Sequence, residues 1–272
     1  MAAPQPVAAL GLPPVALPQA FLGAPVAHRA LHDRAAGRPE NSRAAIRAAV
    51  AAGYGIEIDI QPSADGVPMV FHDYDLKRLT GVSGRIRGLS ARELGALGLL
   101  DAEDGIPTLA EVLEIVAGRV PLLIELKDQD GAMGPETGEM ERATAAVLAP
   151  YDGPVAVMSF NPHAIAAFRA AAPGVAVGLT TSAYAAADWP LLPAAARDHL
   201  RDIPDYEALG ASFISHEAGD LGRARVAALK SAGAAVLCWT IRSTEAEAAA
   251  RRVADNITFE GYPALIPPAS QP

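Results

Sequence analysis

The chain has 272 residues, six Phe, six Tyr and two Trp, a formal net charge of −9 and a pI near 5.1. That acidic balance excludes broad nucleic-acid binding, which needs a basic stripe to displace counterions. The single Cys238 excludes an intrachain disulfide and fits a reducing compartment, so a cytoplasmic location is expected.

Residues 1–24 are rich in alanine and proline, and Pro4, Pro6, Pro13, Pro14 and Pro18 interrupt their apolar run before the first basic residue, Arg29. Nothing there approaches a basic leader followed by an unbroken apolar run, or the ~20 apolar residues of a membrane helix. The segment is expected to be an arm lying on the domain, without stable membrane insertion. After it, short β-type runs alternate with longer alanine-rich helical ones. "APVAH" (24–28) comes first, then the helix "NSRAAIRAAVAAG" (41–53), with Asn41 or Ser42 as its cap and Gly53 as its stop. Further strands are "GIEIDI" (55–60), "VPLLIELK" (120–127), "PVAVMSF" (154–160), "GVAVGLT" (174–180), "ASFISH" (211–216), "AAVLCWT" (234–240) and "NITFE" (256–260). "TLAEVLEIVAG" and "RARVAALKSAG" repeat the helix form, each closed by glycine. Eight strands with intervening helices and no linker predict one α/β domain over residues 25–263, a TIM (β/α)8 barrel, with 264–272 as a tail.

A ninth β-type run, "VPMVFHD" (67–73), follows the second strand too closely for a parallel crossover and must return antiparallel. "ADG" (64–66) supplies the turn. If Ala64 faces Val67, counting outward sets Asp59 opposite His72.

In such a barrel the C-terminal strand ends open onto the active-site mouth. Those ends carry His28 and Arg29, Glu57 and Asp59, Glu125 and Lys127, Ser159 to Asn161, Ser215 and His216, Trp239 and Thr240, and Glu260. Residues two apart share one face of a strand. Three carboxylates, Glu57, Asp59 and Glu125, converging on one mouth would repel unless a cation lay between them, and oxygen ligands suit Mg²⁺ or Ca²⁺. The remaining cations can cradle a phosphate, and paired imidazoles can supply an acid and a base near neutral pH. The set suits metal-assisted phosphoryl transfer or phosphodiester cleavage of a small-molecule substrate. GxxxxGK[ST], HExxH, GxSxG and cysteine clusters are absent.

"HRALHDRAAGRPENS" resembles the HRG…PEN opening of the glycerophosphodiester phosphodiesterase family, which lies within the phosphatidylinositol-specific phospholipase C-like superfamily. "EID", "VFHD" and "IELK" resemble its later motifs, and "MSFNP" and "CWTI" its subsequent landmarks, so the likeness runs from about residue 25 to 263. It implies His28 and His72 as the catalytic pair and Glu57, Asp59 and Glu125 as ligands of a divalent ion. It implies Arg29 and Lys127 as phosphate contacts, with Phe160 and Trp239 walling the alcohol. The expected reaction releases glycerol 3-phosphate and an alcohol. A lysophospholipase D-like activity on a larger alcohol is the rival, and a barrel that only binds phosphorylated ligands would be expected to have lost one of these residues.

Two departures bear on substrate preference. Ala30 stands where the family has glycine, and the closing segment reads "TFEGYP", which leaves Glu260 at the mouth. Residues 74–106 match the family's inserted segment. His32 is expected on a polar loop, His163 in a first helical turn, His199 on a solvated helix face and Cys238 packed within its strand, while His216 ends its own strand.

Overall fold

Branched apolar residues at alternate positions give this chain its strands, and the computed structural model describes residues 6–267 apart from residues 103 and 130. The strands are β1 (Val26–Ala27), β2 (Gly55–Pro62), β3 (Pro68–Val70), β4 (Leu122–Leu126), β5 (Val155–Ser159), β6 (Ala176–Thr181), β7 (Phe213–Glu217), β8 (Ala235–Ile241) and β9 (Asn256–Phe259). All but β3 are parallel, and pairing of β1 with both β2 and β9 closes the predicted eight-stranded barrel. The helices are α1 (Arg43–Ala52), α2 (Lys77–Thr80), α3 (Ala91–Ala96), α4 (Leu109–Val116), α5 (Glu139–Leu148), α6 (Pro162–Ala171), α7 (Ala194–Asp202), α8 (Ala224–Ser231) and α9 (Thr244–Ala250). Ser42, not Asn41, caps α1 by accepting from the Ala45 amide at 3.1 Å, and Gly53 ends it at φ +79°. The isoleucines at 56, 58 and 60 turn outward and are buried with Ile46 and Ala49 of α1 in the main core.

The opposite faces of the strands fill the barrel. Val26, Leu123, Ala156, Met158, Ala176, Phe213 and Leu237 form one buried cluster, completed by Phe21 from the N-terminal segment. Gly178 makes room for Phe213, because a Cβ there would stand 2.5 Å from that ring. The arm therefore does more than lie on the surface. Phe21 is fully buried, Asn256 Nδ2 donates to its carbonyl at 2.7 Å, and the buried Arg169 donates to the carbonyl of Pro13. Phe21→Ala is expected to cost about 3–5 kcal/mol, the usual range for a fully buried phenylalanine, read as a lower midpoint in denaturant melts. Of the expected tail, Ala264 is buried and its carbonyl accepts from Tyr54 Oη at 2.6 Å, while residues 268–272 lie outside the described residues.

The hairpin after β2 exists, but its register differs by one residue from the sequence count. Ile60 pairs with Val70, and the Phe71 amide donates to the Asp59 carbonyl at 2.9 Å, so Asp59 faces Phe71 rather than His72. The turn causes the slip. Ser63 closes it against Val67, leaving a three-residue Ala64-Asp65-Gly66 loop in which Gly66 takes φ +77°. β3 ends at Val70, and Gln61 Nε2 holds the His72 carbonyl at 3.1 Å. Residues 74–106 form a subdomain with its own core, in which Leu76, Leu79, Ile86, Leu94 and Ile106 pack on Met69 and Phe71.

Candidate active site

All nine residues singled out in the sequence (His28, Arg29, Glu57, Asp59, His72, Glu125, Lys127, Phe160 and Trp239) line one cavity of about 170 Å³ at the C-terminal ends of the strands. A larger depression, about 640 Å³, lies between the hairpin turn and residues 136–141, and none of those nine lines it. The smaller cavity is the candidate active site.

Alternation along β2 and β4 turns Glu57, Asp59 and Glu125 inward, and the parallel register sets Asp59 beside Glu125. One oxygen from each of the three lies within 4.8 Å of the others, and all three residues are buried. Lys127 Nζ donates to Glu125 Oε1 at 2.7 Å and lies 3.4 Å from Asp59 Oδ1. Asn41 Nδ2 donates to Asp59 Oδ2 at 2.9 Å, and the Arg29 amide donates to Glu57 Oε2 at 2.8 Å. The charges divide unevenly. Burial, and then the neighbouring Asp59 and Glu125, push the Glu57 carboxyl well above the usual carboxylate range. Burial would also raise Asp59, but Lys127, His72 and Arg29 outweigh it and hold Asp59 well below that range. Without another cation the cluster favours a proton on Glu57, and a hard divalent ion in its place suits three converging carboxylate oxygens.

The two histidines are held in matching ways. His28 Nδ1 lies 2.6 Å from Glu260 Oε2, and His72 Nδ1 lies 2.7 Å from Asp73 Oδ1. Glu260 is drawn well below the carboxylate range by the hydrogen bond from His28 and then by the nearby His32 ring. Asp73 is likewise lowered, hydrogen bonds from His72 and Arg78 outweighing the effect of burial. Both carboxylates are thus ionised acceptors, each Nδ1 is the donor, and Nε2 is left as the ring nitrogen for a ligand. Burial pulls the His28 pKa below its ordinary 6.5, against the hydrogen bond to Glu260.

Arg29 and Ala30 adopt left-handed backbone, φ +52° and +65°, which aims the Arg29 side chain back across β2. Glycine would take that conformation freely, whereas Ala30 bears a penalty of about 1 kcal/mol. Arg29 Nη1 donates to Glu40 Oε1 at 2.8 Å, while its buried Nε makes no hydrogen bond and lies 3.7 Å from Asp59 Oδ2. The hydroxyls of Thr180, Ser215 and Thr258 also line the cavity, buried and without partners among the described residues. An unsatisfied buried hydroxyl costs about 1–3 kcal/mol, so this lining is built for a polar occupant.

On the opposite side the walls are aromatic. The register of β8 on β9 shifts between Cys238 and Ile241, so Trp239 and Thr240 both reach the cavity, and Trp239 Nε1 donates to the Ser215 carbonyl at 3.0 Å. Trp239 meets Phe160 edge-on at 5.6 Å, and Trp189 backs Phe160 at 5.0 Å. Trp189, Asn41, Asp73, Arg78 and Arg242 were not among the site residues read from the sequence. Of these, Asn41 lies in the quoted "PENS" run and Asp73 in "VFHD", so both carried a motif signal, and Asn41 is also a residue that tolerates the left-handed backbone (φ +59°) it adopts here.

The other histidines resolve individually. His32 Nε2 lies 3.6 Å from Glu260 Oε2, so its loop folds back toward the mouth instead of away from it. His216 is fully buried between Thr181 Oγ1, at 2.8 Å, and the Asp220 carbonyl, and does not line the cavity. His163 sits in the first turn of α6, and His199 Nε2 pairs with the buried Asp205 at 2.8 Å rather than facing solvent alone. Cys238 is fully buried and its thiol is pushed up to about 12, as expected of a packing residue.

Among the described residues no helix is long and apolar enough to cross a membrane. Residues 28–257 match the Glycerophosphoryl diester phosphodiesterase family. A putative glycerophosphodiester phosphodiesterase of Bacillus subtilis is 24% identical over 250 residues, covering 89% of this chain and 95% of that protein. The glycerophosphodiester phosphodiesterase of Caldanaerobacter subterraneus subsp. tengcongensis is 30% identical over 148 residues, a match spanning 52% of this chain and 60% of that protein's length. Among solved structures, an Oleispira antarctica phosphodiesterase in complex with the product sn-glycerol-3-phosphate superposes with a TM-score of 0.69 at 27% identity, covering 93% of this chain and 94% of that one. A match over most of the chain, on the same barrel, makes this protein an enzyme of the glycerophosphoryl diester phosphodiesterase family.

Proposed function

We propose that the protein is a divalent-metal-dependent phosphodiesterase that cleaves glycerophosphodiesters to glycerol 3-phosphate and an alcohol by paired histidine acid-base catalysis. The observation that carries this reading is the pair of imidazoles. Each has Nδ1 committed to an ionised carboxylate, and each lines the cavity that also holds three carboxylates and the Arg29 Nε, which makes no hydrogen bond among the described residues.

Glu57, Asp59 and Glu125 would hold Mg²⁺ or Ca²⁺, which when bound supplies Lewis-acid stabilisation of charge on the phosphate. Arg29 Nε, which makes no hydrogen bond among the described residues and lies 3.7 Å from Asp59 Oδ2, is available to a phosphate oxygen, and Lys127 balances the carboxylates beside it. His28, kept neutral by burial, takes the proton of the attacking hydroxyl at Nε2. That hydroxyl belongs to water or to the substrate's own glycerol. As its oxygen bonds to phosphorus the P–O bond to the alcohol breaks, and His72, which must enter this step as the imidazolium with its Nδ1–H on Asp73, gives its Nε2 proton to the departing alkoxide and is left as the neutral Nδ1–H ring. His72 is the more exposed of the two, 30% against 15% for His28, as suits a group facing the leaving alcohol.

A cavity of about 170 Å³ is below the ~300 Å³ at which drug-sized pockets begin, so a bulky alcohol must project past Trp239 and Phe160. Phosphorus NMR of reactions with a panel of glycerophosphodiesters and lysolipids, with and without chelator, tests the reading. Metal-dependent appearance of glycerol 3-phosphate is expected, preceded by a cyclic phosphate if the internal hydroxyl attacks. Turnover of lysolipids alone would transfer the assignment to the lysophospholipase D-like alternative.

A further inference from the structure

We propose that Arg78, on the segment inserted after the second barrel strand, is a positioning residue that orients His72 and Arg29 together by holding the two carboxylates that bind them. The proposal rests on the roles given above to His72 and Arg29.

Four hydrogen bonds leave this one guanidinium. Nε and Nη2 donate to Asp73 Oδ2 and Oδ1 at 2.6 and 2.9 Å, while Nη1 and Nη2 donate to Glu40 Oε2 and Oε1 at 2.7 Å each. Each carboxylate turns inward from there. Asp73 Oδ1 accepts from His72 Nδ1, and Glu40 Oε1 accepts from Arg29 Nη1 at 2.8 Å. Arg78 thus stands one carboxylate away from two residues of the mouth, one proposed for proton transfer and one for phosphate capture.

The backbone beneath Arg78 is anchored. Leu76 and Leu79 are buried in the inserted subdomain's own core, and Gly81 ends α2 at φ +76° with its amide on the Lys77 carbonyl. The Arg78 side chain is 47% exposed, and an exposed ion pair stabilises a fold by only about 0–1 kcal/mol. Its value lies in direction. A planar fork fixes both carboxylates at once, and a lysine, with one ammonium, cannot reproduce that geometry. Both Asp73 Oδ1 and Glu40 Oε1 lie within hydrogen-bond reach of the same Nη2, so without the guanidinium two ionised carboxylates would face each other and repel. Their separation would carry His72 and Arg29 away from the cavity, and a misplacement of about 1 Å can cost ~10²-fold in rate.

The test compares Arg78→Ala and Arg78→Lys with the parent, alone and in the Asp73→Asn background. Arg78→Ala is expected to lower kcat by about 10–10²-fold and to raise KM several-fold, with Arg78→Lys between it and the parent and guanidinium in the buffer restoring part of kcat. Because the effect on kcat passes through Asp73, the Ala substitution should change kcat by less than about threefold once Asp73→Asn is present. Unchanged kcat and KM in a folded Arg78→Ala variant, or losses that multiply in the double variant, would overturn the proposal. Nitrogen-15 spectra of the His72 ring decide it without turnover. In the neutral form of the ring the parent should show one fixed tautomer with the proton on Nδ1, and Arg78→Lys a mixture; an unchanged signal refutes the positioning role. A parent that cleaves no phosphodiester would instead refute the functional reading, while the spectra would still settle whether Arg78 holds the ring.

Discussion

His28→Ala and His72→Ala are each expected to lower kcat by about 10²–10⁴-fold while leaving the fold intact, because each removes one of two proton transfers. Steady-state kinetics on metal-loaded variants whose circular dichroism matches the parent's would measure this. Neither ring carries the fold, since both line an open cavity rather than the barrel's packed interior. The pH profile adds a directional check. A base must be unprotonated to act, and burial holds the His28 pKa below its ordinary 6.5, so the acid-side fall in kcat/KM should come below that value. His32→Ala should cost far less than either, because His32 shares Glu260 only at 3.6 Å whereas His28 holds it at 2.6 Å. A His32→Ala loss equal to that of His72→Ala would move the acid-base role into the segment from His28 to His32.

Much of this site was legible because it obeys strand geometry. Glu57 with Asp59, and Glu125 with Lys127, are two apart, so one inward-facing member implies the other, and barrel topology brings the strand ends to one mouth. What the sequence concealed came from irregular backbone. The hairpin register depended on whether Ala64-Asp65-Gly66 closes as a two- or three-residue loop, and a difference of one residue moves every partner along the strand. Trp239 and Thr240 are neighbours in β8 yet both line the cavity, at a shift in the β8–β9 register between Cys238 and Ile241 that no alternation pattern predicts. Glu40 and Asp73 lie in the "PENS" and "VFHD" runs but, like Arg78, were given no role there, since the meeting of the three depends on how the inserted subdomain folds back over the loop after β1. Phe21 was hidden for a different reason: a lone aromatic in a proline-rich arm has no period to reveal that it seals a barrel.

Removing the divalent ion should abolish turnover and, in the same experiment, reveal Glu57 as the group that needs a cation. Glu57 is buried beside Asp59 and Glu125, and its pKa in the cation-free protein lies well above the 4.5 it would have in an unfolded chain. The folded state therefore keeps a proton that the unfolded state releases, and stability falls as pH climbs from the ordinary value through the raised one. An ion bound by all three carboxylates displaces that proton, so its affinity rises with pH over the same window. The gain in Tm on adding Mg²⁺ or Ca²⁺ after exhaustive chelation should accordingly be small near pH 5 and larger near pH 8. At a concentration about 100 times Kd the ion would contribute about 2.7 kcal/mol. Glu57→Gln keeps an oxygen to accept from the Arg29 amide but removes the third charge, so it should raise the Tm of the cation-free protein at pH 8 and erase most of the gain. Asp59→Asn and Glu125→Gln should also weaken metal binding, without that stabilising side effect, because Lys127 would lose a partner in each. Calorimetric melts of the three variants and the parent, with and without metal, make the comparison. Full activity after chelation would take the metal out of the mechanism, and a gain in Tm that does not change with pH would show that the ion displaces no proton from Glu57.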